Sequence, residues 1–420
     1  MKKMLLPLLL ALFTLSVGAQ TINSLTIEDC YRLARENYPL ARQRELITKS
    51  RDYSLENASK AYLPQFAVYG QATYQSDVTT IPIKIIGVEI PILSKDQYRI
   101  YTELTQTIYD GGNTRNEKRL VDAQSEIETQ QLEVDLYKLK ERINNLFFGI
   151  LLINEQIAQN ELLKNDIQLG LKKVEAAIAN GTAFRSNADQ LKAELLKADQ
   201  QTIALHSNRN AYLQMLGLFV NQPLSEQTQL VKPASVAVSQ EIKRPELTLF
   251  DYQSKQLDIR TNQINSAFNP KLNFFVQGGA GLPGLDMLKN EFVGFYLGGI
   301  RLSWSLSKLY TQKKEKELVS INKNSIAVQK ETFLFNTRYA LQQQNEDINK
   351  LQKLISSDEE IIALRTNVKN TSLAQLENGV ITTNDYLTQV NAENSARQTR
   401  SLNEVQLLLT LYQQRTTTGN

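Results

Sequence analysis

Two long stretches without proline constrain this chain more than any other feature: none lies between Pro91 and Pro223, and none after Pro283. A proline in a helix interior costs about 3 kcal/mol, so long helices exclude it. Within those spaces, Asn113 to Ala179 and Lys308 to Asn378 are rich in Ala, Leu, Lys, Gln and Glu, and the second has no glycine either. At ~1.5 Å per residue each predicts a helix roughly 100 Å long. Leu136, Ile143, Ile150 and Ile157 stand seven apart, as do Leu120, Ile127 and Val134. That repeat winds helices into a left-handed coiled coil, burying narrow seams rather than a globular core.

The chain reads as a duplication. Ala61-Tyr62-Leu63-Pro64-Gln65-Phe66 recurs as Ala267-Phe268-Asn269-Pro270-Lys271-Leu272, each ending a helical stretch at a proline and opening an alternating one. Asn180-Gly181 before Asp189-Gln190-Leu191 recurs as Asn378-Gly379 before Asp385-Tyr386-Leu387. After each Asn-Gly turn a shorter helix returns, over Asp189 to Leu218 and Asp385 to Gln413, so each copy predicts an α-hairpin. Thr26 to Tyr62 and Glu246 to Phe268 have the length and amphipathic pattern of a further helix in each copy. The expected organisation is residues 20–220 as the first repeat and 245–420 as the second. Asn221 to Arg244, with Pro223 and Pro233, is a surface linker between them.

The alternating segments predict four strands, over about 64–76, 97–110, 270–280 and 292–307. After Pro64 one parity reads Phe66, Val68, Gly70, Ala72, Tyr74 and the other Gln65, Ala67, Tyr69, Gln71, Thr73. In the later strands Ile100, Leu104, Phe274, Val276, Ile300 and Leu302 alternate with Arg99, Glu103, Asn273, Gln277 and Arg301. Strands of ~10 residues suit a tilted transmembrane β-segment. The same alternation also describes a soluble sheet with one wet face. If the strands span, four cannot close a membrane barrel, and an open edge in lipid leaves backbone groups unsatisfied. Two copies would make eight strands and three would make twelve; the wider barrel alone leaves an aqueous lumen, lined by Arg99, Glu103 and Arg301.

Lys2 and Lys3 lead an apolar run from Met4 to Val17, and Val17-Gly18-Ala19 offers a cleavage site, the pattern of a secretory signal peptide over residues 1–19 cut between Ala19 and Gln20. Removing it leaves 45 basic against 44 acidic residues, a balance that gives no reason to expect nucleic acid. The single cysteine, Cys30, can form no internal disulfide. It follows Thr26-Ile27-Glu28-Asp29, a capping-box pattern in which Leu25 and Cys30 would form the apolar staple. Enzymatic readings have little to stand on. His206 sits in a helical stretch without a visible catalytic partner, no zinc-type spacing occurs, and no glycine-rich loop joins strand to helix in phosphate-binding form. Neither a cofactor nor a bound metal is expected, and the mature methionines, Met215 and Met287, are too few for a soft-metal relay.

Taken in order, Glu36-Asn37-Tyr38-Pro39-Leu40, Ala61-Tyr62-Leu63-Pro64, Ile108-Tyr109-Asp110-Gly111-Gly112 and the paired Asn-Gly turns resemble the TolC-like outer-membrane factors of multidrug efflux and type I secretion. The resemblance covers nearly the whole mature chain. It implies a mixed α and β fold, internally duplicated, whose four strands enter a trimeric β-barrel in outer-membrane lipid and whose coiled-coil hairpins form a periplasmic α-barrel. It implies a homotrimer whose hairpin tips meet a periplasmic adaptor protein joined to an inner-membrane pump. By the same resemblance Asp385 lines a periplasmic constriction, with Asp189 in the equivalent place of the first hairpin. The second acidic position of some relatives is Thr388 here, leaving one acidic ring, and Ser307-Lys308-Leu309 replaces a second Asp-Gly-Gly turn. Gly181, Phe184, Arg185, Gly379 and Ile381 become candidate tip and adaptor contacts.

From the local residues alone, Asp385 after Thr382-Thr383-Asn384 also reads as a helix cap, and Gly181 and Gly379 as left-handed helix ends. Thr79 to Leu93, unusually apolar for an external loop, reads either as a lid over a barrel mouth or as packing against a neighbouring Gly281 to Phe292 loop. The competing class is a secreted, soluble coiled-coil scaffold or adhesin.

Overall fold

The computed structural model describes residues 24–80, 82, 92–235 and 239–420. The expected Ala19/Gln20 cleavage site and most of the Thr79 to Leu93 loop lie outside them. The chain forms two compact units, each assembled from both halves of the sequence. One comprises the described residues up to Tyr38 with Lys138–Ile242 and Ala340–Asn420; the other comprises Pro39–Tyr137 and Lys243–Tyr339.

The unit containing the chain's ends is built from helices α1 (Ile27–Asn37), α4 (Leu139–Ala179), α5 (Arg185–Val220) and α8 (Thr383–Thr418) and the later part of α7 (Leu309–Glu377). Thr26 caps α1 by accepting from the Asp29 amide at 3.2 Å, and Leu25 and Cys30 are both buried beside that cap. Helix α1 stops at Tyr38, whose extended backbone (φ −62°, ψ 132°) is what a following proline imposes. The single helix expected over Thr26 to Tyr62 is therefore divided, resuming through a 3-10 turn at Pro39–Arg42 as α2 (Gln43–Ser59). Helix α4 packs on both α5 and α8, and the heptad residues Leu136, Ile143 and Ile150 are buried. A short parallel pair, β1 (Ser24–Leu25) with β4 (Gln229–Leu230), ties the 221–244 segment to the chain's beginning. Arg209 holds the same segment to α5, donating to the carbonyls of Glu226 (3.1 Å) and Thr228 (3.4 Å).

The other unit holds α2, α3 (Asn113–Tyr137), α6 (Pro245–Ser266), the start of α7 and one sheet. The uninterrupted helix expected over Asn113 to Ala179 is split into α3 and α4 at Lys138, which itself keeps right-handed helical dihedrals (φ −61°, ψ −19°). Helix α7 runs unbroken for 69 residues, as a proline-free and glycine-free stretch allows. The sheet consists of β2 (Gln65–Tyr74), β3 (Asp96–Tyr109), β5 (Lys271–Leu282) and β6 (Val293–Ser303), antiparallel throughout in the order β2-β3-β5-β6. The last strand ends at Ser303, short of the expected 307. Trp304 turns out of the ladder to donate its indole N–H to the Phe268 carbonyl at 2.8 Å, and a 3-10 turn over Leu306–Lys308 follows.

Candidate functional site

The sheet separates side chains in the opposite sense to a water-soluble one. Phe66, Val68, Ile100, Phe274, Val276, Ile300 and Leu302 share one face and are exposed, Phe66 at 73% and Ile300 at 67%. On the other face Glu103 is buried to 8%. It receives the Gln277 amide at 2.5 Å from the adjacent strand β5 and Arg301 at 3.2 Å from β6, one strand further on. Arg301 also stacks on Phe275, its guanidinium 4.4 Å from the ring centroid. Arg99, on the same face, remains exposed and leans on Phe295 at 5.6 Å. Arg301 pairs in register with Asn273, not with the Glu103 row, and its long side chain reaches Glu103 diagonally across β5, while Arg99 lies four residues from Glu103 along β3. The outer strands β2 and β6 each have one unpaired edge within the described sheet.

Where β3 returns to helix, the Asp-Gly-Gly turn is organised by Asp110. Its carboxylate accepts from the Gly112 amide (2.8 Å), the Thr114 amide (2.6 Å) and the Tyr62 hydroxyl (2.9 Å). Burial works against the charge, but these donors outweigh it and hold the carboxyl down to about 2. Two sequence motifs thereby meet: Tyr62 belongs to the Ala-Tyr-Leu-Pro segment and Asp110 to the glycine turn. Asn269, which takes the place of Leu63 in the second copy, donates to the Gly111 carbonyl at 2.8 Å.

The hairpin tips share one ending. Gly181 (φ +72°) and Gly379 (φ +67°) take the left-handed conformation, and their amides donate to Ile178 (3.0 Å) and Leu376 (3.1 Å). The following amides, of Thr182 and Val380, reach back to Ala177 (2.9 Å) and Gln375 (2.8 Å), completing a Schellman motif at each tip. The returning helices start differently. Phe184 precedes α5 with no side-chain cap, whereas Thr382 and Asp385 form a reciprocal capping box on α8. Asp385 is exposed, and the Thr382 hydroxyl and backbone amide hold its carboxyl below the ordinary range. Asp189 and Arg185 are exposed on the first turns of α5. Phe184 projects at 79% exposure. Ile381 does not: it is half-buried against the core between the tips, and Val380, at 70%, is the exposed apolar residue of that turn.

That core joins the two hairpins through Ile167, Val174, Ala188, Leu191, Tyr386, Leu387 and Val390. Tyr386 is its largest member, lying over Gly170, where an added Cβ would come within 2.5 Å of the ring, and donating its hydroxyl to the Asp166 carbonyl at 2.8 Å. Below it Lys369 bridges Asp166 (2.8 Å) and Glu393 (3.0 Å), and Glu393 also takes Arg397 at 2.6 Å. Sequence reading missed this network. The signal available was Tyr386, a large aromatic immediately after the candidate Asp385, together with Gly170, one of two glycines inside the long helix α4.

Solved structures share this fold. CusC, whose crystal structures concern folding and transmembrane channel formation, superposes with a TM-score of 0.69 over 93% of this chain and 91% of its own at 12% identity. The fold is that of the TolC-like outer-membrane channels. The Campylobacter jejuni CmeC outer membrane channel has the same fold, with a TM-score of 0.64 at 13% identity over 94% of this chain and 85% of its own. The Neisseria gonorrhoeae MtrE outer membrane channel in its open state gives 0.58 at 15% identity, over 94% and 89%. No family model and no curated protein sequence matches the chain. Among the described residues, no helix is long and apolar enough to cross a membrane, and no cluster could hold a metal ion.

Proposed function

We propose that this chain is one protomer of a homotrimeric outer-membrane exit duct. It conducts substrates passively from a periplasmic adaptor and an inner-membrane pump, in efflux or type I secretion, to the outside of the cell. The observation that carries the reading is the inverted sheet: large apolar side chains face outward in the open while the carboxylate and arginine are tied together on the other face. An exposed apolar face of this extent is costly in water at ~25 cal/mol per Å² and favourable in lipid. The two unpaired edges need strands from further copies, since no edge is tolerated in hydrocarbon. Three copies of a four-stranded sheet give twelve strands, wide enough for an aqueous lumen.

The periplasmic end is the natural place for a gate. Three copies of Asp385 around an axis would form one acidic ring, with Asp189 behind it, while Phe184, Arg185 and Val380 offer surface for the adaptor. The capping box is compatible with that role, because it fixes the carboxylate's position and favours its charge. Detergent extraction from the outer-membrane fraction, a trimeric mass, and discrete conductance steps in planar bilayers are the expected results. Release of the protein into buffer as a monomer without detergent would instead establish the soluble scaffold.

A further inference from the structure

We propose that the polar face of the sheet carries a transit subsite for anionic aromatic molecules; the proposal rests on the duct reading above and names the cargo chemistry its barrel favours. Tyr69, Tyr101, Gly279 and Phe295 form one cross-strand row, paired in register across all four strands. The rings of Tyr69 and Tyr101 stack at 5.2 Å with 27° between their planes, and Phe295 follows Tyr101 at 6.4 Å and 51°. Gly279 makes the row continuous, for a Cβ there would come within 2.5 Å of the Tyr101 Cβ. An aromatic row on the face that also carries the charged residues has no packing partner in lipid to account for it. In a closed trimer it would repeat three times as a belt of rings around the lumen.

Charge on this face is unbalanced. Glu103, the acidic side chain of the face, is occupied by Arg301 and Gln277. Arg99, in the row next to the belt, and Lys271, at the start of β5, have no carboxylate partner among the described residues. Arg99 is held against Phe295, so its positive charge sits at the belt instead of sweeping the lumen. A planar aromatic anion can stack on Tyr101 and place its acid group on Arg99; an aromatic cation would gain from the ring faces but meet the surplus positive charge. Weak, repeated sites of this kind pass a molecule along without trapping it.

The test is conductance block in planar bilayers with three probes: naphthalene-1,5-disulfonate, propane-1,3-disulfonate and a naphthyl trimethylammonium. The unaltered protein should be blocked at a concentration at least about tenfold lower by the aromatic dianion than by either other probe. Tyr101→Leu and Arg99→Gln should each erase most of that preference, and Ile100→Leu, on the opposite face, should retain it. Equal block by the aliphatic dianion, or stronger block by the cation, overturns the proposal on the unaltered protein whatever the variants do. Channels that conduct but show no preference remove this inference alone; absence of any channel removes the duct reading and this inference with it.

Discussion

Replacing Asp110 by asparagine tests how the strand-to-helix junction is held. The carboxylate oxygens serve three donors, and in the variant Oδ1 can still accept from Tyr62 and Gly112. The amide nitrogen replacing Oδ2 then faces the Thr114 N–H, donor against donor, at a site where Asp110 is buried. An orphaned buried amide costs about 1–3 kcal/mol, and loss of the charge at the start of α3 adds about 0.3–1 kcal/mol. The titration gives a similar size. Holding the carboxyl at about 2, against a reference of 3.8, corresponds to roughly 2.5 kcal/mol at ~1.36 kcal/mol per pH unit. Local opening of the turn should therefore become about 30-fold more frequent for a cost near 2 kcal/mol. Hydrogen exchange of the peptide covering Asp110 to Asn116 in detergent reads this directly. Because the folded carboxyl titrates below its unfolded value, its contribution is complete above about pH 4 and is lost as pH falls toward about 2. The unaltered protein should then approach the variant over that window. Unchanged protection in Asp110→Asn at neutral pH would refute the account.

Other expectations follow from the unit that contains the tips. Burial opposes charge on Glu393, but Lys369, Arg397 and Thr366 hold its carboxyl below the ordinary range. Glu393→Gln should cost about 2 kcal/mol, less than a fully orphaned buried ion because Asp166 still faces Lys369, and a urea titration that leaves stability unchanged would contradict it. The loss should fade as pH drops below the carboxylate range, where the unaltered Glu393 is itself neutral. Burial pushes the Cys30 thiol up to about 12, so at pH 8 roughly one thiol in ten thousand is reactive. Maleimide should label the folded protein negligibly and the denatured protein fully, and mass spectrometry decides. Thr382→Ala removes a cap worth about 1 kcal/mol and should speed exchange at the start of α8 while weakening cation block of the proposed channel less than removal of the Asp385 charge does. Asp385→Ala should alter both; if the two variants affect conductance equally, Asp385 acts only as a cap.

Helices were legible because proline and glycine are backbone statements that tertiary context rarely overrides. The 69-residue α7 falls almost where its missing breakers place it. Strand parity was legible for the same kind of reason, since a period of two survives whichever medium each face meets. What escaped were features set by partners distant in sequence. The β1–β4 pair joins residues about two hundred apart, and nothing near Ser24 announces Gln229. Trp304 continued the alternation expected of β6, yet its indole finds the Phe268 carbonyl and ends the strand. The division at Pro39 follows from proline stereochemistry, which pushes Tyr38 out of the helical region, although the amphipathic pattern runs on either side of it. The aromatic row could not be read, because register alone aligns Tyr69, Tyr101 and Phe295.

The duplication preserves backbone solutions and changes side-chain ones. Both tips end in the same Schellman geometry, which needs only a glycine, and both Pro64 and Pro270 release the chain into a strand. At the junction back to helix, however, the first copy uses a buried carboxylate, Asp110 with Tyr62. The second uses an aromatic pair, Trp304 against Phe268 with ring centroids 5.7 Å apart. The tips diverge likewise: α8 begins on a charged capping box and α5 on the uncapped, exposed Phe184. The capping box holds the Asp385 carboxylate in place at one tip, and the other tip presents the exposed Phe184 ring. Under the proposed duct reading the first would supply a fixed charge and the second an apolar contact. Exchanging the two turns, with Ala183-Phe184-Arg185 replaced by Ile381-Thr382-Thr383 and the reverse, should move adaptor binding to the second hairpin while cation block stays with Asp385, which the exchange leaves on α8. Retention of adaptor binding at its original tip after the exchange would show that the surrounding helices, and not the turns, assign it.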